Sequence, residues 1–338
     1  MAPDVRRVYQ TLGLAGLELP ESLGGAGLGA LARAVVNEEL AAADAGAALA
    51  LDPLGPALYP IAELGGESAV SELAGPLLGK VGARATLVFD ALPRLRTDEG
   101  RARGVLPWVT TDRVDLLIVL ERERAYAVSE GIECVRLRGA GLRAAGASEL
   151  HVDGAAGPAH WVSTPAARRA LARARLYVAG LLVGVTRASA DFARRYAMER
   201  VAFGRPIAHH QALAFLIADM ASAVDGARLL LHEAAWRVDR SAACGTGARD
   251  DADELAEACA TAFLEACEAA LFVTPNGVQI LGGHGFMQDY PVEKWMREAR
   301  ALSLLLAGVD AAREDAGRAL VSDPSPLALD HATAAARP

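Results

Sequence analysis

The chain has 338 residues, 52% of them hydrophobic and 22% charged, with a formal net charge of −8 and a pI near 5.5. That length supports two or three packed units, and the acidic balance excludes nucleic acid as the main partner, because phosphate backbones demand clustered Lys and Arg. Aromatics make up only 5% of the residues, which favours helices over β-sandwiches.

In chain order, the opening MAPDVRRVYQTLG lacks the apolar core of a signal peptide. Pro20 and the GGAG at 24–27 mark a loop. The stretch 30–51, ALARAVVNEELAAADAGAALAL, spaces its apolar residues as a helix does and sets Glu38 and Glu39 on the other side. A helical domain is therefore expected over 1–78. From 83 to about 162 come short β-rich runs, ATLVFDAL, VDLLIVLE, AYAVSE, ECVRLR and SELHVDG, separated by Gly, Asp, Pro and Arg. Runs this short and closely spaced predict a small antiparallel sheet or barrel over 79–164. Pro165 opens a third part. Long helical patterns cover 166–200, 209–240, 251–274 and 291–320, with breaks at 204–206, 244–247 and 275–285. They predict a four-helix bundle over 165–322, followed by a frayed tail at 323–338. The expected fold class is α+β multidomain, mainly α.

The four cysteines, Cys134, Cys244, Cys259 and Cys267, form no CxxC pair and no metal spacing with His, so no metal is expected. Cys259 and Cys267 read as packing residues on one side of a helix. The most apolar short run, 177–185, is too short to cross a bilayer and is flanked by Arg. No membrane span is expected, and the chain reads as cytoplasmic.

Two strings carry most of the chemistry. YAMERVAFGRPIAHHQALAFLIADM at 196–220 ends one helix, turns, and starts another. Arg200 at a helix C-terminus presents a rigid, always-charged fork that suits a diphosphate. Phe203 offers a flat apolar face to a ring. His210 and Gln211 stand where a new helix starts, a place that favours anionic or polar ligands. In isolation the same residues also suit a purely structural role, with Arg200 paired to Glu199 and Phe203 in the core. NGVQILGGHGFMQDYPVEKWMREAR at 276–300 supplies Gly282, Gly283 and Gly285, which let backbone approach a ligand, and Gln279, which can bond it. A plain helix-to-helix turn also uses Gly.

With both strings in view the chain resembles the acyl-CoA dehydrogenase family. Its members carry Arg-x-x-Phe-Gly-x-Pro-Ile followed by Gln and Ala-Asp-Met, then a Gln-x-x-Gly-Gly-x-Gly-Tyr loop followed by Tyr-Pro and Arg-Asp-Ala-Arg. GLAGLELPESLGGAGL at 13–28 resembles the family's N-terminal glycine string and is read as turning the chain. GVLPWVTTDRVDLLIVL at 104–120 looks like its Gly-x-Lys-x-Trp-Ile-Thr-Asn strand. The resemblance runs from about residue 13 to 320, dense at both ends and thin between. It implies FAD as cofactor and an acyl thioester, of CoA or a carrier protein, as substrate. It also implies electron-transfer flavoprotein or a similar electron acceptor, and a homo-oligomer or a hetero-oligomer with a homologous subunit. Arg200, Phe203, His210, Gln211, Gln279, Gly282 and Gly283 would hold FAD, partly across a subunit interface. Trp108 and Thr110 would border the flavin ring, and Tyr196, Ala307 and Gly308 the substrate.

Family members take the α-proton of the thioester with a carboxylate. In many relatives it lies in Tyr-Glu-Gly-Thr, where this chain has Ala307-Gly308-Val309. Isovaleryl-CoA dehydrogenase-like members place the base one helix earlier, and the matching residue is Glu268. Helical spacing puts Leu264, Leu271 and Phe272 on one stripe with it, and a carboxylate in an apolar stripe is costly unless used or paired. A half-exposed Glu268 paired with an Arg is the bland alternative. The chain also lacks most of the first helix of its relatives, and TLVFDAL at 86–92 stands where they carry Thr-Glu-Pro…Gly-Ser-Asp. Such shortening resembles the partner subunits of heteromeric actinobacterial steroid-type acyl-CoA dehydrogenases. Three functions follow: an FAD-dependent α,β-dehydrogenase with Glu268 as base, a catalytically degenerate partner subunit, or a flavin-dependent oxidase or oxygenase.

Overall fold

The computed structural model describes residues 3–91, 94–98, 100–155, 160–244 and 249–322; the expected tail at 323–338 lies outside them. The chain is mostly helical, 64%, with a small sheet region between two helical parts, which bears out the expected fold class.

The first part holds α1 (Pro3–Thr11), α2 (Ala30–Leu51), α3 (Leu58–Ala69) and α4 (Gly75–Leu78). The 13–28 string does more than turn the chain. Its Glu18, with a side chain only 2% exposed, pairs with Arg33 and Arg173 and accepts a hydrogen bond from Tyr59. Buried charges persist only when paired in this way. Helix α2 begins at Gly29, which has no capping side chain, so Asp239 from far along the chain accepts from the amides of Ala30 (2.6 Å) and Leu31 (3.1 Å). A Cβ at position 29 would run into that carboxylate. The helix kinks at Asp44, which caps its second half through Ala47 N (2.7 Å).

The middle part is two four-stranded sheets. One pairs β1 (Ala85–Phe89), β4 (Leu116–Leu120), β5 (Arg124–Val128) and β8 (His160–Val162) in the order β1-β4-β5-β8; the other pairs β2 (Leu95–Asp98), β3 (Arg101–Val109), β6 (Ile132–Arg136) and β7 (Ser148–Ala155) in the order β2-β3-β7-β6. β1 lies parallel to β4, so the arrangement is not wholly antiparallel as expected; the other pairings are antiparallel. β4 is apolar throughout because both its faces are covered. Leu116 and Ile118 join the core beneath α3, while Leu117 and Val119 join the core between the sheets.

The third part is α5 (Thr164–Glu199), a two-residue ladder of β9 (Val201–Ala202) with β10 (Arg205–Pro206), then α6 (Gln211–Cys244), α7 (Arg249–Leu281), α8 (Val292–Leu302) and α9 (Gly308–Ser322). Ser163 caps α5 and Pro165 sits in its first turn, where a missing N–H costs nothing. By length and composition α5 would suffice for a membrane span, with a window of mean hydropathy 1.2, yet 72% of that window is buried in the protein. It is the axis of the core, with Val178, Leu181, Leu182 and Val185 at 0% exposure. Two expectations need correction. Pro275 does not end α7; the helix runs through it with no N–H for the Leu271 carbonyl, while Thr274 Oγ1 donates to Ala270 O and Asn276 Nδ2 to Phe272 O on either side, both at 2.8 Å. The fourth long helix is two, α8 and α9, split by a tight turn at Leu305–Ala307. Cys259 and Cys267 are free and buried.

Candidate cofactor and active site

At the end of α5 the backbone of Arg200 leaves the helical region while its N–H still bonds Tyr196 O. Arg200 O then accepts from Ile207 N (2.8 Å), closing the loop that the β9–β10 hairpin fills. Phe203 and Gly204 form its tip in left-handed conformations, φ 54° and 79°. For Phe203 that is strained, and such strain persists where surroundings enforce it, commonly at functional sites. The ring is 96% exposed. Arg200 is exposed too, and among the described residues no carboxylate pairs with it, Glu199 included.

His210 holds this turn together. Its Nε2–H donates to Ala202 O (3.3 Å), its Nδ1 accepts from Arg205 Nη2 (3.2 Å), and the Phe203 ring meets it edge-on. Both ring nitrogens are thus spent inside the hairpin. Gln211, the first residue of α6, is exposed.

The glycine motif meets the last turns of α5. α7 ends at Leu281, Gly282 takes φ 58°, and a 3-10 turn runs over Gly282–Phe286. Gly285 must be glycine for local reasons, since a Cβ there would strike the Val278 backbone. Gly282 and Gly283 are exposed, and a Cβ at either would meet nothing within 4 Å, so internal packing gives no reason for Gly283 to be glycine. Gln279, in the last turn of α7, is exposed as well. The two motifs are joined by Tyr196 Oη and His284 Nδ1, 2.8 Å apart. This contact was not legible from spacing, because each motif carries several polar aromatics, Tyr196, His209 and His210 in one and His284, Tyr290 and Trp295 in the other, and nothing in the sequence says which of them meet. Tyr196, expected at the substrate, is half-buried beneath the glycine turn.

The remaining candidates lie elsewhere. Trp108 falls in an irregularity of β3, between the Leu106 and Val109 pairings, next to Pro107, which has no N–H for the ladder. Trp108 and Thr110, just past the strand, are half-buried. Glu268 on α7 is 52% exposed, and Arg313 Nη2 donates to its Oε1 at 2.9 Å. Leu264 and Leu271 are half-buried and Phe272 is 40% exposed, so the stripe is a half-open face, and Glu268 stands half-exposed and paired with an Arg, which is the structural alternative the sequence left open. Next along the fold, Leu306, Ala307 and Gly308 take φ 54°, 65° and 74°, three left-handed residues in a row, at a backbone cost of about 1–3 kcal/mol for each non-glycine. Leu306 is buried and Ala307 exposed. Sequence reasoning also missed what anchors this turn: Asp315 on α9 pairs with buried Arg175 (2.7 Å) and with Arg122 of the sheet region (2.8 Å).

An unpaired guanidinium, an exposed ring and an open glycine turn, in motifs linked through Tyr196 and His284, suit a protein that holds a large, anionic, ring-bearing cofactor. Comparison with known proteins says which class. Residues 1–78 match the acyl-CoA dehydrogenase N-terminal domain and residues 164–319 the acyl-CoA dehydrogenase C-terminal domain. Cyclohex-1-ene-1-carbonyl-CoA dehydrogenase of Geobacter metallireducens is 30% identical over 349 residues, covering 94% of this chain and 89% of its own. Butyryl-CoA dehydrogenase of Megasphaera elsdenii superposes with a TM-score of 0.76 at 22% identity, covering 95% of this chain and 90% of its own. The ChsE4-ChsE5 complex of Mycobacterium tuberculosis gives 0.76 at 25% identity, covering 96% and 90%. The chain belongs to the acyl-CoA dehydrogenase family, a family of flavin-dependent acyl-CoA oxidoreductases.

Proposed function

We propose that this chain desaturates the α,β bond of an acyl thioester, with the Arg200–Phe203 hairpin and the Gly282–Gly283 turn gripping the diphosphate half of FAD and Glu268 acting as base. The observation that carries the reading is the contact between the two motifs, Tyr196 Oη to His284 Nδ1 at 2.8 Å. The residues there suit FAD: Arg200 offers a bidentate fork, Gln279 side-chain donors, and Gly283 an unobstructed backbone. FAD, when bound, supplies the two-electron acceptor. Glu268 takes the proton from the α-carbon; the electrons of that C–H bond form the Cα=Cβ bond, and the β-hydrogen departs with its own electron pair. Glu268 has to leave its exposed pairing with Arg313 to take that proton. The left-handed turn at 306–308, which has no side chain larger than methyl at 307 and 308, leaves room for the acyl group. Trp108 and Thr110 would border the flavin ring.

Phe203, Phe215 and Phe286 are 96%, 61% and 77% exposed. We infer that a second, homologous subunit covers these rings and completes the cofactor site. Electron-transfer flavoprotein or a similar protein would reoxidise the flavin, and the setting would be cytoplasmic.

The partner-subunit reading has one specific observation in its favour. Phe89, in the stretch that stands where relatives carry hydroxyl and carboxyl side chains, is 8% exposed and belongs to the main core. It offers no donor to a flavin ring. The deciding experiment is anaerobic mixing of the purified protein with acyl-CoA. Bleaching of the flavin by wild type and loss of bleaching in Glu268→Gln, with flavin still bound, supports the first reading; bleaching that persists in the variant assigns the base elsewhere.

A further inference from the structure

In that scheme His284 only joins the two motifs, although it sits inside the glycine turn. Its ring is fixed from several sides. Tyr196 Oη lies 2.8 Å from Nδ1, and the Tyr196 ring meets it edge-on at 5.9 Å. Tyr290 stacks on it at 5.2 Å with the planes 8° apart. Tyr290 packs in turn on Phe192, and Phe192 on Trp295, so α5, the loop and α8 together build the platform. Nε2 has no protein partner among the described residues, and it is not among the polar atoms sealed from solvent. The ring is held rigidly with one nitrogen left open.

A neutral imidazole carries its proton on one nitrogen, and the partner of the other nitrogen decides which. A phenol donates better than it accepts, because its oxygen lone pair is delocalised into the ring. Tyr196 O–H therefore donates to Nδ1, which puts the His284 proton on Nε2. That donor lies in the same turn as exposed Gly282 and Gly283. Tyr196 precedes Arg200 by four residues, one helical turn.

We propose that His284 Nε2–H is a further donor to the oxyanion held by Arg200, with Tyr196 as the positioning residue that sets its tautomer. The proposal rests on the FAD reading and adds to it a binding residue and the device that aims it. Its ligand chemistry is a phosphate oxygen of a nucleoside diphosphate.

The test uses the assembled protein with FAD, ADP and adenosine as probes. His284→Phe keeps a flat ring on Tyr290 and removes both nitrogens. It is expected to weaken FAD and ADP about ten- to a hundredfold, the range of a hydrogen bond to a charged group, while adenosine affinity stays unchanged. ADP binding within twofold of wild type, in a protein where Arg200→Ala has lost it, overturns the role of His284 and leaves the FAD reading standing. If Arg200→Ala also binds as wild type does, the FAD reading fails and the proposal with it. A second measurement needs no variant: ¹⁵N-histidine NMR of wild type should show His284 protonated at Nε2 and shifted by ADP but not by adenosine. A proton on Nδ1, or no shift, also overturns the proposal. Tyr196→Phe should lower the Nε2–H population; an unchanged tautomer would remove Tyr196 from its positioning role.

Discussion

Replacing Asp315 by Asn tests how the candidate active site is braced. Asp315 accepts from Arg175 at 2.7 Å and Arg122 at 2.8 Å. The Arg175 side chain is 2% exposed and its Nε already lacks a partner, so Asp315 is the main compensation for a buried charge. Burial alone would raise the Asp315 carboxyl, but the Arg122 and Arg175 guanidiniums overcome it and hold it below the usual carboxylate range. Its stabilising contribution is therefore present above the ordinary carboxyl pKa and lost as pH falls through the depressed folded value. Asn keeps the shape and removes the charge. Removing one partner of a buried pair costs about 3–5 kcal/mol; Asp315 is 14% exposed, which favours the lower end, about 3 kcal/mol. Urea denaturation at neutral pH measures the loss. The double variant Arg175→Met with Asp315→Asn should recover most of it, because no lone charge stays buried. α9 follows directly on the 306–308 turn and carries Arg313, and its amides should exchange faster in the single variant. A loss under about 0.5 kcal/mol, the range of ordinary surface substitutions, or a double variant no more stable than the single, would refute the reasoning.

Two further outcomes follow from buried polar groups. Asp239→Ala strips α2 of a cap supplied from α6 and should cost about 1–2 kcal/mol, with Asp239→Asn retaining most of it; equal melting temperatures for wild type and Asp239→Ala would contradict this. Burial raises the Glu298 carboxyl from 4.5 to about 7, opposed by Lys294 at 3.4 Å and assisted by Asp44. A raised carboxyl pKa means the stability tied to it is intact below about 4.5 and lost as pH climbs through about 7. Glu298→Gln should therefore stabilise the protein at pH 8, by up to about 3 kcal/mol, and scarcely change it at pH 4.5. Melting curves at both pH values check this, and a gain equal at the two would count against it.

Much of the architecture was legible because it rests on local pattern. The β4 run, the period of α5 and the glycines flanking His284 each announce their own structure. What was not legible depends on partners distant in the chain. Gly29 gives no hint that Asp239 will cap α2, and Pro275 reads as a break although α7 runs through it, with Val273, Thr274 and Val278 buried around it. Leu305–Ala307 looked like mid-helix, because nothing in the composition warns of successive left-handed residues. For the site, Arg200, Phe203, Gly282 and Gly283 stand open, in the company their motifs suggested, whereas the ring of His210 is turned inward to hold the hairpin. Helical spacing put Glu268 in an apolar stripe, but how closed that stripe is depends on α9, whose Arg313 is 45 residues away.

The central claim is that the open face around Arg200 and Gly283 grips FAD. The most direct test is the flavin content of the correctly assembled protein, alone or with its natural homologous partner, compared between wild type and Arg200→Ala. The account predicts a yellow wild type with stoichiometric FAD and a variant that folds and assembles but loses most of its flavin. A colourless wild-type assembly, or full flavin occupancy in Arg200→Ala, would contradict it.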